Sequence, residues 1–485
     1  MAKSVKVNYI LNLLNTVVGL LFPIVTFPYI SRVLWADGIG KIQFLNSIIN
    51  YVTLLCALGI PLYAVREIAR VRDNIIERNK ATIEIFTLHS ILTVGGYTIV
   101  LCLGLFVGKI QQDFWLFMLL SAHLILHVIG VNWFYQAIED FGYITARSLI
   151  VRFLTLVALF AFVKTRDDLF IYAAVTVMAE AGNYLFNFVH LNKYIKKEDV
   201  SFKNLNIWRH LKPALHIFVL NLITSIYVNL DSVMLGFLST EEAVGYYAAS
   251  TRITKAALSV ITALGVVLMP RLSNLIMTNR KVEFKQTSLK AYNFIMTLAM
   301  PMVMGLIIMA PEVIHIFCGQ HFEPSVVTIQ IIAPIILFIG VSNLLGLQIL
   351  YSQGKENYVI LSTLIGAIVN FSLNFLLIPF LNQYGAAIAT VIAELSVTAV
   401  MIIVGRKFIP FQPFNRNTWY VLLFSIIMCL PLMLIKHLSL MTWQLVIVEL
   451  FVASFVYFIL LILSRNESLQ IILNSVKNKV IKHHE

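Results

Sequence analysis

The sequence predicts an all-α polytopic membrane protein with about 14 transmembrane helices. Of its 485 residues, 59% are hydrophobic and only 12% are charged, which is about half the charged fraction of soluble globular proteins. The apolar runs are long and continuous, without the two-residue alternation of barrel strands. Because a helix needs roughly 20 residues to cross the bilayer, the chain has little length left for an extramembrane domain. The composition therefore excludes a soluble fold and a β-barrel.

The apolar runs give the positions of the spans in order. The first run follows only Lys3 and Lys6, is longer than the apolar core of a signal peptide, and lacks a small-residue cleavage site, so we expect it to stay as the first span. The predicted spans are 7–32, 40–63, 81–107, 114–138, 142–163, 168–192, 213–238, 245–270, 288–310, 325–350, 357–380, 384–405, 417–435 and 441–464.

The basic residues are concentrated in alternate loops. One side of the predicted topology carries the loops 66–80, 193–212, 271–290 and 406–416, whereas the other side is poor in lysine and arginine. The positive-inside rule then places both termini in the cytoplasm. The net charge of +12 is spread over these short loops and forms no single basic face, so we expect no nucleic-acid partner.

Three short sequence matches indicate that the chain contains a parallel repeat. Thr176–Glu180 is echoed by Thr390–Glu394, and Gln136–Phe141 by Gln353–Tyr358. More loosely, Ser31–Leu34 followed by Gly40 matches Ser232–Leu235 followed by Gly245. The repeat predicts six-helix lobes at 1–195 and 213–405, followed by two additional helices in 417–464. The end of the chain, 465–485, is interpreted as a basic cytoplasmic tail, either a helix on the leaflet surface or a frayed segment.

The motifs also resemble a known family. Leu230–Gly236 leading to Val244–Ala249, the opening Phe27–Leu34, and Asn370–Glu394 resemble motifs of the Wzx-type polysaccharide flippases. This family belongs to the multidrug/oligosaccharidyl-lipid/polysaccharide exporter superfamily. Trp35 stands where many of its members have Gly.

The resemblance implies a multi-pass protein of the bacterial cytoplasmic (inner) membrane. Its function would be to flip undecaprenyl-diphosphate-linked oligosaccharides from the cytoplasmic to the outer leaflet for O-antigen or capsule synthesis. The expected mechanism is alternating access with a cationic central cavity. The expected partners are the lipid bilayer, a glycan polymerase, a chain-length regulator and a coupling H⁺ or Na⁺. We expect no enzymatic activity, no cofactor and no metal.

Cations at membrane depth are the candidate substrate-binding residues, because such charges usually face a wet cavity. Arg252 and Lys255 are three residues apart on one helix face and offer two cations to a diphosphate. Asp231 lies at a matching depth in the preceding span, where it either pairs with Arg252 or only orients it. Arg32 corresponds to a cavity-lining arginine implied by the related lipid II flippases, or it snorkels to the interface. Arg66 meets the entering diphosphate, or it belongs to a basic loop that sets orientation and contacts anionic lipid.

Titratable groups within the spans are the candidates for coupling. Glu180 and Glu394 either exchange a proton during transport or stay neutral and hydrogen-bonded, and Arg152 is a candidate partner of Glu180. His123 and His127 have the spacing of two metal ligands on a helix, but no further ligand completes a site, so we expect hydrogen-bonded histidines. The remaining acids near span ends, Glu84 and Glu449, are assigned no role.

Other functions fit the same helical architecture. A multidrug or cation antiporter would favour an acidic, aromatic cavity, and a lipid II flippase would differ in its substrate. A membrane glycan polymerase would need a large outer loop, and the outer loops here are too short for one. A passive assembly scaffold would tolerate loss of every cavity charge.

Overall fold

The computed structural model describes residues 5–195 and 205–464, and every regular element in these ranges is helical. The predicted tail at 465–485 lies outside them. The described chain forms two compact units, Met1–Gly245 and Tyr246–Glu485. The predicted lobe boundaries, 1–195 and 213–405, stay predictions.

The first unit contains nine complete helices within the described ranges. They are α1 (Val5–Ala57), α2 (Ile60–Val71), α3 (Ile75–Phe106), α4 (Gly108–Gln111), α5 (Phe114–Ile129), α6 (Asn132–Ala137), α7 (Phe141–Phe162), α8 (Leu169–Leu191) and α9 (Leu211–Leu238). Two short 3₁₀ turns, Arg166–Asp168 and Ile207–His210, lead into α8 and α9.

The second unit is built from the remaining helices, the first of which begins at the end of the first unit. They are α10 (Glu241–Met277), α11 (Lys281–Ile308), α12 (Ala310–Phe317), α13 (Pro324–Ile332), α14 (Ile335–Asn343), α15 (Glu356–Leu381), α16 (Gln383–Val404), α17 (Arg416–Ile435) and α18 (Thr442–Leu463). A π-helical segment, Leu344–Leu350, continues α14. Buried side chains of α10, α11, α14 and α16 form the core of this unit.

The predicted fold class, an all-α polytopic membrane protein, is confirmed. Within the described residues, twelve helical segments are long and apolar enough to cross a membrane. The first, Leu13–Val71, contains most of the first predicted span and all of the second, and α9 covers the predicted seventh. The total of about 14 spans and the cytoplasmic termini stay predictions.

The predicted gap between the first two spans, 33–39, contains a break in α1, where two helical segments meet at Trp35. At Trp35 the backbone has φ 57° and ψ −172°, a conformation that is essentially restricted to glycine and costs about 1–3 kcal/mol in other residues. The Arg166 guanidinium carbon lies 4.7 Å from the centre of the Trp35 ring. Arg166 also donates to the Asp37 carboxylate at 2.6 Å. Both contacts stabilise the broken segment.

A second break separates α1 from α2. Leu58 and Gly59 have positive φ angles of 40° and 74°, after which the chain resumes a helix. A Cβ atom on Gly59 would lie 2.6 Å from the carbonyl oxygen of Ala214 in α9, so this close approach requires glycine. Because α2 runs to Val71, Arg66 lies on a helix and not in the predicted basic loop.

The two glycines aligned by the third repeat match approach each other's helices. A Cβ on Gly40 would lie 1.7 Å from the Glu241 carbonyl oxygen, and one on Gly245 would lie 1.9 Å from that of Ala36. Neither distance is tolerated between non-bonded atoms. The absence of both side chains therefore permits direct backbone packing of α1 against the start of α10.

Candidate functional site

The candidate binding cations lie on three helices. Arg32 is exposed on α1, and its Nη1 donates to the Pro28 carbonyl oxygen at 2.6 Å. Arg66 is exposed on α2 and lines a cavity of about 600 Å³. Arg252 is half-buried and Lys255 is exposed, one turn apart on α10. All four cations thus lie on helices, and their contact with a substrate stays a proposal.

The predicted partner of Arg252 is a buried acid on α9. Asp231 is buried within the first unit and interacts electrostatically with Tyr51 of α1. Arg252 belongs to the second unit. The Asp231–Arg252 ion pair therefore stays a prediction.

Glu180 has a different partner from the one suggested by the sequence. Its carboxylate forms a short hydrogen bond with His123 Nδ1, which links α8 to α5. Arg152 instead donates from Nη1 to the Asn15 carbonyl oxygen at 3.0 Å and to Asn15 Oδ1 at 3.3 Å. The candidate Arg152–Glu180 pair is therefore wrong, because Arg152 on α7 faces α1 while Glu180 faces α5.

The His123–Glu180 pair continues into a row of imidazoles. The rings of His123 and His127 have centroids 6.0 Å apart, and those of His127 and His89 are 5.5 Å apart. The Nδ1 atoms of His127 and His89 are buried and have no hydrogen-bond partner in the described part of the chain. The expectation of hydrogen-bonded histidines is thus correct for His123 Nδ1. The described residues contain no group of three or more His, Cys, Asp or Glu side chains placed to hold a metal.

Glu394 lies on a polar stripe of α16 in the second unit. It is buried one turn from Thr390, whose hydroxyl hydrogen-bonds with that of Tyr247 at 2.9 Å. On the next turn, the hydroxyl of Thr398 donates to the Phe338 carbonyl oxygen at 3.1 Å. The stripe therefore packs against α10 and α14 rather than facing lipid.

Arg147 is a buried cation that the sequence interpretation did not single out. Its Nε donates to Asn183 Oδ1 at 3.2 Å, its Nη1 makes a short bond to Asn187 Oδ1, and its Nη2 donates to Asn132 Oδ1 at 3.4 Å. All three acceptors are neutral amides. The spacing of Asn183 and Asn187, four residues apart on α8, was the available signal.

Glu84 and Glu449 are also more deeply placed than expected, since both side chains are fully buried. Glu84 accepts from the Asn206 backbone N–H at 2.7 Å and lies 2.9 Å from His210 Nε2. It also pairs with Arg209 Nη2 at 2.6 Å. Burial lowers the pKa of His210 below its ordinary value of 6.5, although the Glu84 carboxylate opposes this shift. This network attaches the segment before α9 to α3.

Comparison with known proteins gives a consistent result. A family described as polysaccharide biosynthesis protein matches residues 5–276, more than half of the 485-residue chain. A relative named "Putative O-antigen transporter" from Escherichia coli K12 is 23% identical over 80% of this chain and 93% of its own length. A relative of the same name from Shigella dysenteriae is 24% identical over 82% of this chain and 99% of its own.

Solved structures of membrane transporters share the fold. The lipid II flippase MurJ, in an inward closed conformation, has a TM-score of 0.64 and 14% identity, covering 92% of this chain and 99% of that protein. An inward-facing multidrug resistance MATE family transporter of the MOP superfamily has a TM-score of 0.66 and 15% identity, covering 80% and 94%. At these identities the likeness concerns the fold alone.

Proposed function

Because the chain belongs to the polysaccharide biosynthesis protein family, we propose that it flips undecaprenyl-diphosphate-linked oligosaccharides from the cytoplasmic to the outer leaflet. The resemblance to Wzx-type flippases expected from the sequence is confirmed by this match and by the O-antigen transporter relatives. The chain is a multi-pass protein of the bacterial inner membrane, and its function class is membrane transport. The glycan carried would enter O-antigen or capsule synthesis.

The observation that carries the proposal is the pair of cations on α10. Arg252 and Lys255 lie one turn apart on α10 and are its only charged residues between Glu242 and Arg271, and at least part of each side chain is accessible. Charges in a span are costly unless they are paired or hydrated. Two adjacent cations match the oxygens of a diphosphate, with Asp231 proposed to orient Arg252. Arg32 and Arg66 would contact the same head group at other stages of alternating access.

The test is export of a lipid-linked glycan in a strain that lacks its own flippase. Arg252→Ala with Lys255→Ala should reduce surface glycan roughly tenfold or more, because each charge-assisted contact contributes about 1.5–3 kcal/mol. The matched control is Lys281→Ala with Lys285→Ala, which removes the same charge from exposed positions at the start of α11. Equal export by both variants would exclude α10 as the binding helix.

Energy coupling is a separate part of the proposal. The His123–Glu180 pair is a candidate proton carrier, with His127 and His89 extending it, and Glu394 is a second candidate carboxyl. In vesicles, export driven by an imposed pH gradient should be lost in Glu180→Gln and His123→Gln. Export that follows a sodium gradient and persists in both variants would favour Na⁺.

A multidrug antiporter is the main competing function on this fold. It predicts drug resistance on expression, without restoration of surface glycan. A glycan polymerase and a chain-length regulator are the proposed protein partners of the flippase. Co-purification of the tagged chain with each would test them.

A further inference from the structure

The first unit contains a cavity of about 600 Å³ with basic and apolar walls. Tyr63 and Arg66 line it from α2, and the first turns of α9 contribute Lys212, Leu215, His216 and Ile217. The side chains of Arg66, Lys212 and His216 are all exposed. The cavity therefore combines three groups that can donate hydrogen bonds to an anion with a hydrocarbon surface beside them.

The walls of this cavity are fixed by the surrounding structure. The Tyr63 hydroxyl hydrogen-bonds with His210 Nδ1 at 2.7 Å, and His210 Nε2 lies 2.9 Å from the buried Glu84 carboxylate. At the other end of the wall, Gly59 lets the start of α2 approach the backbone of α9 at Ala214. These contacts hold together the two helices that carry the cations, which reduces the entropic cost of binding a ligand.

The charge around the cavity is unbalanced. Glu67 is the neighbouring acid on α2, and it pairs with Arg70 at 3.6 Å. Within residues 5–195 and 205–464, Arg66, Lys212 and His216 form no ion pair with a carboxylate. Arg209 adds a further cation nearby, although it is bound to Glu84. The site therefore favours an anion that carries more than one charge.

We propose that this cavity binds the diphosphate group of a polyprenyl lipid, with Lys212 and His216 joining Arg66 around the phosphate oxygens. The apolar residues Leu215 and Ile217 would contact the first isoprenyl carbons. A diphosphate fits better than a phospholipid phosphate because it supplies more charge and more acceptor oxygens to the three donors. The inference rests on the proposed function for the identity of the lipid, and it adds α9 residues that the motifs do not identify.

Binding of a soluble probe tests the assignment. The purified full chain in detergent is titrated with farnesyl diphosphate, which carries both the diphosphate and an isoprenyl chain. Lys212→Gln with His216→Gln should weaken binding roughly tenfold or more. Inorganic diphosphate should bind more weakly than farnesyl diphosphate, because it lacks the apolar contact.

Two further variants separate a binding defect from a folding defect. Lys212→Arg with His216→Lys keeps a hydrogen-bond donor at both positions and should keep most of the affinity. Lys281→Gln with Lys285→Gln removes charge in the second unit and should leave affinity unchanged. Undiminished binding by Lys212→Gln with His216→Gln would overturn the proposal, and so would equal competition by phosphatidylglycerol and farnesyl diphosphate.

Failure of this inference can be distinguished from failure of the proposed function. If the chain restores glycan export while the α9 variant binds farnesyl diphosphate normally, the cavity assignment is wrong and the flippase function stands. If the wild-type chain exports no glycan but its diphosphate binding depends on Lys212 and His216, the flippase function is wrong and the assignment stands.

Discussion

Replacing Glu84 with alanine should destabilise the first unit more than removal of a surface acid. The carboxylate is fully buried and interacts with three donors, on Asn206, Arg209 and His210. A hydrogen bond to a charged group contributes about 1.5–3 kcal/mol, and one between neutral groups about 1 kcal/mol. Arg209 is partly exposed and can turn to water, which reduces its share. The expected loss is therefore about 3–5 kcal/mol, the range for breaking a buried charged network.

The assay is a denaturant titration of the purified chain in detergent micelles, followed by tryptophan fluorescence. Glu77→Ala is the matched control, because Glu77 is exposed in the first turn of the same helix and should contribute less than about 1 kcal/mol. Glu84→Gln should fall between the two, since it keeps one acceptor oxygen and loses the charge. If Glu84→Ala unfolds at the same denaturant concentration as Glu77→Ala, the network does not stabilise the unit.

Three further predictions concern other buried contacts. Because burial lowers the pKa of His210 below 6.5, the unfolded chain binds a proton there more readily, so stability should fall as pH drops below about 6.5. The difference between the thermal midpoints at pH 7.5 and pH 5.5 should be smaller in His210→Gln than in the wild-type chain. The same difference in both proteins would contradict this prediction. Gly40→Ala should prevent folding, because the added Cβ would overlap the Glu241 carbonyl oxygen. Gly95→Ala is the control and should be tolerated, because a Cβ there would have no neighbouring atom within 4 Å. The yield of monodisperse protein in detergent, compared between the two variants, tests this prediction. Both carboxylate oxygens of Glu449 lack a hydrogen-bond partner in the described residues. Glu449→Met should therefore raise the free energy of unfolding by about 1–3 kcal/mol. A free energy of unfolding below that of the wild-type chain would refute this prediction.

The spans could be predicted from the sequence because hydrophobic length is a local property of the chain. Most predicted spans fall on one helix of the structure, such as α3 at Ile75–Phe106 and α18 at Thr442–Leu463, whereas a few, such as 114–138, cross a break between two helices. The break at Trp35 falls in the predicted gap between the first two spans, but its positive φ could not be predicted. The break at Leu58 could not be predicted either, because neither residue favours positive φ by itself. Their conformations depend on contacts with distant segments, such as that of α2 with α9.

Partner choice in the candidate sites depended on which helix faces meet. The sequence showed Glu180 and a nearby arginine, but the structure pairs Glu180 with His123, 57 residues away. No role was assigned to Glu84 from the sequence, because its hydrogen-bond donors lie in the segment before α9. One of these donors, the backbone N–H of Asn206, is 122 residues further along the chain. Arg147 gave little signal because neutral asparagines satisfy it, and no opposite charge marks the site. Charge patterns alone do not identify such partners.

The break at Trp35 divides the first helix into two segments joined at one residue. The segment before it, from Val5 to Leu34, has a length of about 45 Å along its axis at 1.5 Å per residue, with Pro23 and Pro28 inside it. A small rotation at Trp35 therefore displaces the far end of this segment by a large distance. Helical dihedral angles at Trp35 would join the two segments into one continuous helix and would move the indole ring away from the Arg166 guanidinium. The orientation of the first segment is therefore coupled to the contact of Trp35 with Arg166, in the 3₁₀ turn that leads into α8.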